Sequence, residues 1–388
     1  MTRAPVRFAV VGCGVIGRVH AEVLATGEDT AVAVLVDVDR SAAEKLAEHL
    51  SGTVGVAAPP VTTSLEEALA RDDVDAVAVC VPSGLHAQVS VPVLEAGRHL
   101  VVEKPLDVSV AAAAPIAAAA AAAPPGTVAS VISQHRFDPA SVAVHEAVEA
   151  GRFGRITSGV ATVSWWRSQE YYDSGDWRGT WELDGGGAVM NQGVHTVDLL
   201  LWFLGRPVDV TAHTALLAHE RIEVEDTVAA VVRFESGALA TMHATTAAYP
   251  GLTVRLHVMG AAGSAVIDDD ELAYFHSREL AEAAPAGDGG AGPAAAGKGR
   301  EDQSASVLGS VLGEEPGEDT APGTSGMLTG HRRQYSDILD AIRAGRRPGV
   351  TIDDAMLALA TVQAVYESVR TGGTVRVADV LDRARAAP

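Results

Sequence analysis

A glycine-rich turn set between an apolar run and a helical pattern constrains this chain more than any other feature. Val6-Arg7-Phe8-Ala9-Val10-Val11 reads as a buried strand, and Gly12-Cys13-Gly14-Val15-Ile16-Gly17 follows it and opens a helix. Asp37 stands at the end of the next strand-like run, 20 positions beyond Gly17. That arrangement is the one that binds a dinucleotide. Gly12 permits the tight turn, Gly14 lets the backbone approach a pyrophosphate, and Gly17 lets the helix lie close to the sheet. The helix N-terminus, with Val15 and Ile16, presents N–H groups and a positive dipole end to the phosphates. Asp37 is expected to accept from the ribose hydroxyls and to repel a 2′-phosphate, which favours NAD. Arg40 lies three residues on and could meet such a phosphate, so NADP use stays open. The competing reading is a turn whose glycines serve packing alone.

Further Val-rich runs alternate with helical patterns through the first third: Ala31 to Asp37, a weak one near Val61, Ala76 to Val81, His99 to Glu103, and Val128 to His135. Nearly continuous apolar runs suit a parallel sheet covered on both faces. From Val160 the pattern changes to longer strands with tight turns, such as Thr227 to Phe234 and Ala238 to Thr246 around Glu235-Ser236-Gly237. The expected fold is α/β. A doubly wound Rossmann sheet fills residues 1–136, and an α/β domain with a large open, mainly antiparallel sheet fills 137–388. Residues 282–326, rich in Ala, Gly, Pro, Ser and acids, are expected to form a disordered insertion.

Charge narrows the partners. Lys and Arg number 29 against 50 Asp and Glu, a net charge of −21, which repels nucleic-acid backbones and anionic membrane surfaces. The Ala-rich tract from Ala111 to Ala123 is interrupted by Pro115 and too short to span a bilayer. Two cysteines, Cys13 and Cys80, make no disulfide framework and read as reduced thiols. With no apolar signal segment before the first strand, a cytoplasmic protein is expected.

A second polar feature lies in an apolar stretch. A helix is expected from Ala188 to Leu204, apolar on most faces except for Asn191, His195 and Asp198, spaced i, i+4, i+7 in one stripe. Such a stripe either lines a cavity or bonds internally, and Asp198, one turn deeper, suits a structural acceptor. Eight of the 17 aromatic residues crowd between Trp165 and Phe203: Trp165, Trp166, Tyr171, Tyr172, Trp177, Trp181, Trp202 and Phe203. Rings of this kind cover the apolar C–H faces of sugars, while Arg167 and Arg178 can donate to hydroxyls or to an anionic substituent. An aromatic core patch is the alternative. Lys104 follows a strand C-terminus, the edge where open α/β sheets bind ligands, although a lysine there can equally be a solvated charge.

Val81-Pro82-Ser83-Gly84-Leu85-His86, Val102-Glu103-Lys104-Pro105 and Gly185-Gly186-Gly187-Ala188-Val189-Met190-Asn191-Gln192-Gly193-Val194-His195-Thr196-Val197-Asp198 carry a resemblance. With the N-terminal fingerprint they closely resemble the glucose–fructose oxidoreductase, inositol dehydrogenase and rhizopine-catabolism (Gfo/Idh/MocA) family. The resemblance implies NAD(P)-dependent oxidation or reduction of a sugar, cyclitol or related polyol. It implies that Lys104 and His195 act at the substrate carbinol and that the Lys104–Pro105 peptide is cis. It also implies that the open sheet often serves as an oligomer interface, so a homodimer or homotetramer is expected. The family often has Asp where this chain has Asn191. Members with Asn-Gln there commonly carry a Tyr-Tyr and a Trp-Arg-Gly-Thr segment, as Tyr171-Tyr172 and Trp177-Arg178-Gly179-Thr180 do here, and some oxidise a pyranose 3-hydroxyl.

The expected enzyme therefore holds NAD through the glycines and Asp37, with Pro82, Ser83, His86 and Glu103 along the nicotinamide half. His195 takes the hydroxyl proton, Lys104 stabilises the developing alkoxide, and Arg167, Trp177, Arg178 and Asn191 line the substrate. No metal is expected, since no ligand spacing of the HExxH type occurs. A redox-assisted NAD-dependent glycosidase and a non-catalytic dinucleotide sensor are the rival readings.

Overall fold

The fold is that of a computed structural model, which describes residues 4–283, 301–312 and 324–386. Six parallel strands form the first sheet: β1 (Val6–Val11), β2 (Thr30–Val36), β3 (Val61–Thr62), β4 (Ala76–Val79), β5 (His99–Val102) and β6 (Ala129–Val131). Their order is β3-β2-β1-β4-β5-β6, that of a dinucleotide-binding doubly wound sheet. Alternate residues of each strand feed different cores. Phe8 and Val10 of β1 join the core that includes Leu24, Tyr335 and Ile338, whereas Ala9 and Val11 join the larger core reaching into the second domain. Burial on both faces explains why these strands are apolar throughout.

The second sheet has eight strands: β7 (Ile156–Ser164), β8 (Pro207–Ala215), β9 (Thr227–Phe234), β10 (Leu239–Thr245), β11 (Val254–Gly260), β12 (Gly263–Asp268), β13 (Glu271–Ser277) and β14 (Val375–Arg376). They run in the order β13-β12-β11-β7-β10-β9-β8-β14. Only the β7–β10 pair is parallel. Burial alternates strictly along β9, so one face of the sheet meets the core and the other meets solvent. The Ile352–Thr371 helix joins the two halves. Its Gln363 side chain accepts from Val110 N (3.0 Å) at the start of the Val110–Ala122 helix, and its Ser368 hydroxyl accepts from Ala212 N (2.9 Å) of β8.

Three sequence expectations need correction. The strand expected from Val128 to His135 ends at Val131 and gives way to a 3-10 turn, Gln134–Phe137. Gln334 causes the exit by side-chain bonding, accepting from Ser133 N (2.9 Å) and donating to Val131 O (2.7 Å). The helix expected from Ala188 to Leu204 is broken into a π turn, Ala188–Gln192, and an α-helix, Val194–Leu204. The third concerns the expected disordered insertion. Residues 301–312 within it are ordered: Asp302 and Gln303 accept from Phe275 N and Ser277 N, covering the open edge of β13, and Val307 is buried. Residues 284–300 and 313–323 of that segment lie outside the described residues. Cys13 and Cys80 are buried and unpaired, and among the described residues no helix is long and apolar enough to cross a membrane.

Candidate active site

The glycine-rich loop is shaped by close approach. Gly12 has φ +93°, and a Cβ there would lie 2.6 Å from the Cys80 carbonyl oxygen; a Cβ on Gly17 would lie 1.9 Å from the Gly12 carbonyl oxygen. Gly14 differs, because a Cβ there would meet nothing within 4 Å. It opens onto the space at the N-terminus of the Val15–Thr26 helix, where the exposed Val15 and Val38 offer apolar edges. An open backbone cradle at a helix N-terminus, flanked by apolar side chains and an acid, fits NAD. Asp37 accepts from Cys13 N (2.7 Å) and Asp39 N (2.9 Å), so it holds the loop. Arg40 is exposed and paired with Glu44 at 2.9 Å.

Two residues expected along the nicotinamide are spoken for. His86 is buried with Nδ1 against the Pro105 and Leu106 carbonyls (2.9 and 3.2 Å) and Nε2 against the Val81 carbonyl (3.0 Å). It ties the loop after β4 to the one after β5 instead of offering a nitrogen to a cofactor. Glu103 is also buried. Its carboxylate accepts from Lys104 N (3.0 Å) and lies 2.8 Å from His20 Nε2 and 3.4 Å from His331 Nε2, while His20 Nδ1 meets the Tyr335 hydroxyl at 2.6 Å. Burial alone would raise the Glu103 pKa, but the two histidines hold it well below the usual carboxylate range. Glu103 thus anchors the backbone of Lys104. Ser83 is buried at the turn between β4 and its following helix, next to Pro82.

Lys104 leaves β5 through a cis Lys104–Pro105 peptide and donates from Nζ to the Asn191 carbonyl at 3.0 Å. Glu225 shapes the chain that receives it. Its carboxylate accepts from Gly187 N (3.0 Å) and Val189 N (3.1 Å), and a Cβ on Gly187 would come within 1.7 Å of its backbone oxygen. The triple glycine is therefore a packing requirement. Ala188–Gln192 consequently leaves the helical ladder and aims the Asn191 carbonyl at Lys104.

His195 lies in the first turn of the helix that follows. Among the described residues neither of its ring nitrogens has a hydrogen-bond partner, and its ring stands edge-on to His135, centroids 5.1 Å apart. Burial, then the Lys104 and His135 cations, lower its pKa well below the ordinary 6.5, with Glu103 pulling weakly the other way. His135 was not visible as a site residue in the sequence. Its Nδ1 lies 2.8 Å from Asp138 and 3.0 Å from Asp270, and although burial opposes it, the two carboxylates raise its pKa to about 10. It is an imidazolium pinned by two carboxylates beside a neutral imidazole.

Asp184 is the second unforeseen group. Nearly fully buried, it accepts from Gly179 N at 2.8 Å and from the Asn191 side-chain amide. Burial pushes its pKa up to about 6 against the pull of the Gly179 amide, Arg178, Lys104 and Asn191. The carboxylate missing at position 191 is thus supplied seven residues earlier, directly before the triple glycine. Asp198 is structural as expected, gripped by Arg136 at 2.6 and 2.7 Å and by the Ser133 hydroxyl.

The aromatic cluster divides. Tyr172 and Phe203 are core, and Trp202 stacks on His145. Trp165, Tyr171 and Trp177 form a wall with both arginines. Arg167 lies over Trp165 and Tyr171, Arg178 over Tyr171 and Trp177, and Gln192 bridges Arg167 (2.9 Å) to the Tyr171 hydroxyl (3.1 Å). Lys104, His195, Asn191, Arg167, Trp177 and Arg178 are thereby brought into one neighbourhood, and Arg40 stays on the nucleotide side.

Both parts of the chain match known proteins. Residues 6–128 match the oxidoreductase family with an NAD-binding Rossmann fold, and residues 141–266 match the GFO/IDH/MocA C-terminal domain. The chain is 30% identical to inositol 2-dehydrogenase 2 of Paenarthrobacter aurescens (strain TC1) over 277 residues, 69% of this chain and 77% of that one. It is 28% identical to scyllo-inositol 2-dehydrogenase (NAD(+)) of Bacillus subtilis (strain 168) over 272 residues, 68% and 73% of the two chains. The solved WlbA dehydrogenase from Bordetella pertussis, in complex with NADH and UDP-GlcNAcA, superposes with a TM-score of 0.79 at 30% identity, covering 97% of this chain and 99% of that one.

Proposed function

The chain belongs to the GFO/IDH/MocA family of NAD-binding oxidoreductases, and from that premise we propose that it oxidises a secondary alcohol of a sugar or polyol, a pyranose C3 hydroxyl being the leading position. The observation that carries the reading is the pairing of the Lys104 ammonium with a partner-free, neutral His195 beside an aromatic and guanidinium wall. A dinucleotide sensor needs neither of the first two. Relatives named for inositol and D-glucoside dehydrogenation support the substrate class.

Bound NAD supplies the hydride acceptor, so that CH–OH and NAD become C=O, NADH and a proton. Lys104 donates to the alcohol oxygen and stabilises negative charge as it develops there. His195 accepts the hydroxyl proton, which its depressed pKa leaves it free to do at neutral pH. Asp184 orients Asn191 and partly balances Lys104. Glu103 and the Asn191 carbonyl hold Lys104 at its two ends.

The test is an NADH-formation screen over monosaccharides, anhydrosugars, inositols and sugar acids. At least one secondary alcohol is expected to reduce NAD with kcat near ordinary enzyme values of about 1–1000 per second. Silence across all four classes would overturn the proposal.

We further infer a cytoplasmic homodimer or homotetramer built through the second sheet. Half-exposed Val231 and Leu239 on its solvent side support the contact. Light scattering at micromolar concentration is expected to return a multiple of the chain mass, and a monomer would remove this reading.

A further inference from the structure

Three cations crowd the substrate side of the pocket of a chain whose net charge is −21. Lys104 is felt by Arg167 and Arg178, both of which disfavour its charge. Among the described residues none of the three has an ion-pair partner within 4 Å. Of the two carboxyls that act on Lys104, Glu103 is held by His20, His331 and the Lys104 backbone N–H, and Asp184 spends its two oxygens on Gly179 N and Asn191.

The arginine wall is also short of acceptors. Both guanidiniums lie against rings, at 4.9 and 5.1 Å for Arg167 and 4.4 Å twice for Arg178, so only their N–H edges remain for a ligand. Arg178 spends one N–H on the Tyr171 oxygen (2.8 Å), and Arg167 spends one on Gln192 (2.9 Å). Arg167 Nε is buried with no partner. The Tyr171 oxygen accepts from Arg178 and Gln192, which leaves its own proton without one. Gln192 uses its oxygen and its nitrogen within the wall. The guanidinium N–H groups left over and the Tyr171 proton are donors, most of them charged, and the second lone pair of the Gln192 oxygen is the acceptor that remains among these four side chains. A neutral polyol brings a proton with each hydroxyl and would leave some of those protons unmatched, whereas an anionic group only accepts.

Resting on the dehydrogenase reading, we propose that the substrate is a sugar acid whose carboxylate is held by Arg167, Arg178 and the Tyr171 hydroxyl while its reacting hydroxyl meets Lys104 and His195. A planar carboxylate matches the flat, ring-backed guanidinium edges. The pocket thus selects against neutral sugars by leaving two guanidiniums uncompensated.

The experiment compares NAD reduction by matched pairs: glucuronate with glucose, galacturonate with galactose, and mannuronate with mannose. In at least one pair the acid is expected to exceed its neutral partner in kcat/KM by about 30-fold or more, an advantage that shrinks with added salt. Arg167→Gln and Arg178→Gln are each expected to cut that ratio about tenfold or more, with Arg178→Lys keeping part of it. Quenching of tryptophan fluorescence on titrating the NADH-loaded protein with the same acids gives a readout independent of turnover. Neutral sugars used as well as their acids in every pair would overturn the carboxylate while leaving the dehydrogenase standing. A preference for glucose 6-phosphate over all three acids would likewise overturn it. No NADH from any of the six sugars would overturn the carboxylate, and the dehydrogenase reading would fall with it only if anhydrosugars and inositols were silent as well.

Discussion

Alanine in place of His195 is expected to lower kcat for alcohol oxidation by about two to four orders of magnitude while NAD affinity stays within a few-fold of the parent. The ring contributes no hydrogen bond to the described fold, so its loss removes a proton acceptor and little else from the scaffold. The pH dependence follows from its surroundings. Burial and the flanking Lys104 and His135 cations depress the folded pKa, so the neutral, proton-accepting form persists as pH falls through 6.5. The acidic limb of kcat/KM should therefore lie below 6.5, and the His195→Ala variant should lose the His195 part of it. Asp184, with its pKa near 6, adds a second titration in the same region, removing a countercharge to Lys104 as it protonates. Parent-like turnover by His195→Ala would place the base elsewhere, and a parent limb well above 6.5 would mean that the neighbouring cations do not act on the ring.

Lys104→Met should cost about two to three orders of magnitude in kcat, the range seen when a single donor to a developing oxyanion is removed. Methionine keeps much of the side-chain length and apolar contact but cannot donate to the alcohol oxygen. It also vacates the bond to the Asn191 carbonyl, a loss the short 188–192 segment can answer with water at the pocket. A cofactor titration separates the two roles: NADH binding is expected to be retained, with the fall in kcat exceeding any rise in KM. Because the lysine cation lowers the His195 pKa, its removal should also move the acidic limb upward. Retention of more than a tenth of the parent kcat would show that Lys104 positions the chain without touching the reacting oxygen.

Much of the molecule follows from neighbours along the chain. The dinucleotide turn was legible because strand, glycines and helix are contiguous, and the 1.9 Å approach of a Cβ on Gly17 to the Gly12 carbonyl oxygen is a demand made within the turn itself. The two sheets were legible from hydrophobic periodicity, continuous where both faces are buried and alternating where one is wet. Lys104 and His195 stood out through short motifs. The corrections arise where contacts span long separations. Gln334 ends the strand expected to reach His135, and Glu225 bends the segment expected to be helical from Ala188.

His135 becomes an imidazolium only because the turn after β12 brings Asp270 to it, and Asp184 matters only because Asn191 folds back across it. His86 and Glu103 carry the chemistry of ligand-binding residues in their side chains, yet tertiary contacts consume both, through carbonyls 19 and 20 positions away for one and a histidine 228 positions away for the other. Residue type and spacing therefore determined the fold class and the cofactor, since these depend on local sterics and periodicity, while the proposal of Lys104 and His195 as the reacting pair began from the resemblance of their motifs to the family. Protonation states, and which polar groups remain free to meet a substrate, were decided by tertiary structure alone, because burial and charge act through space among residues whose order along the chain carries no record of their meeting.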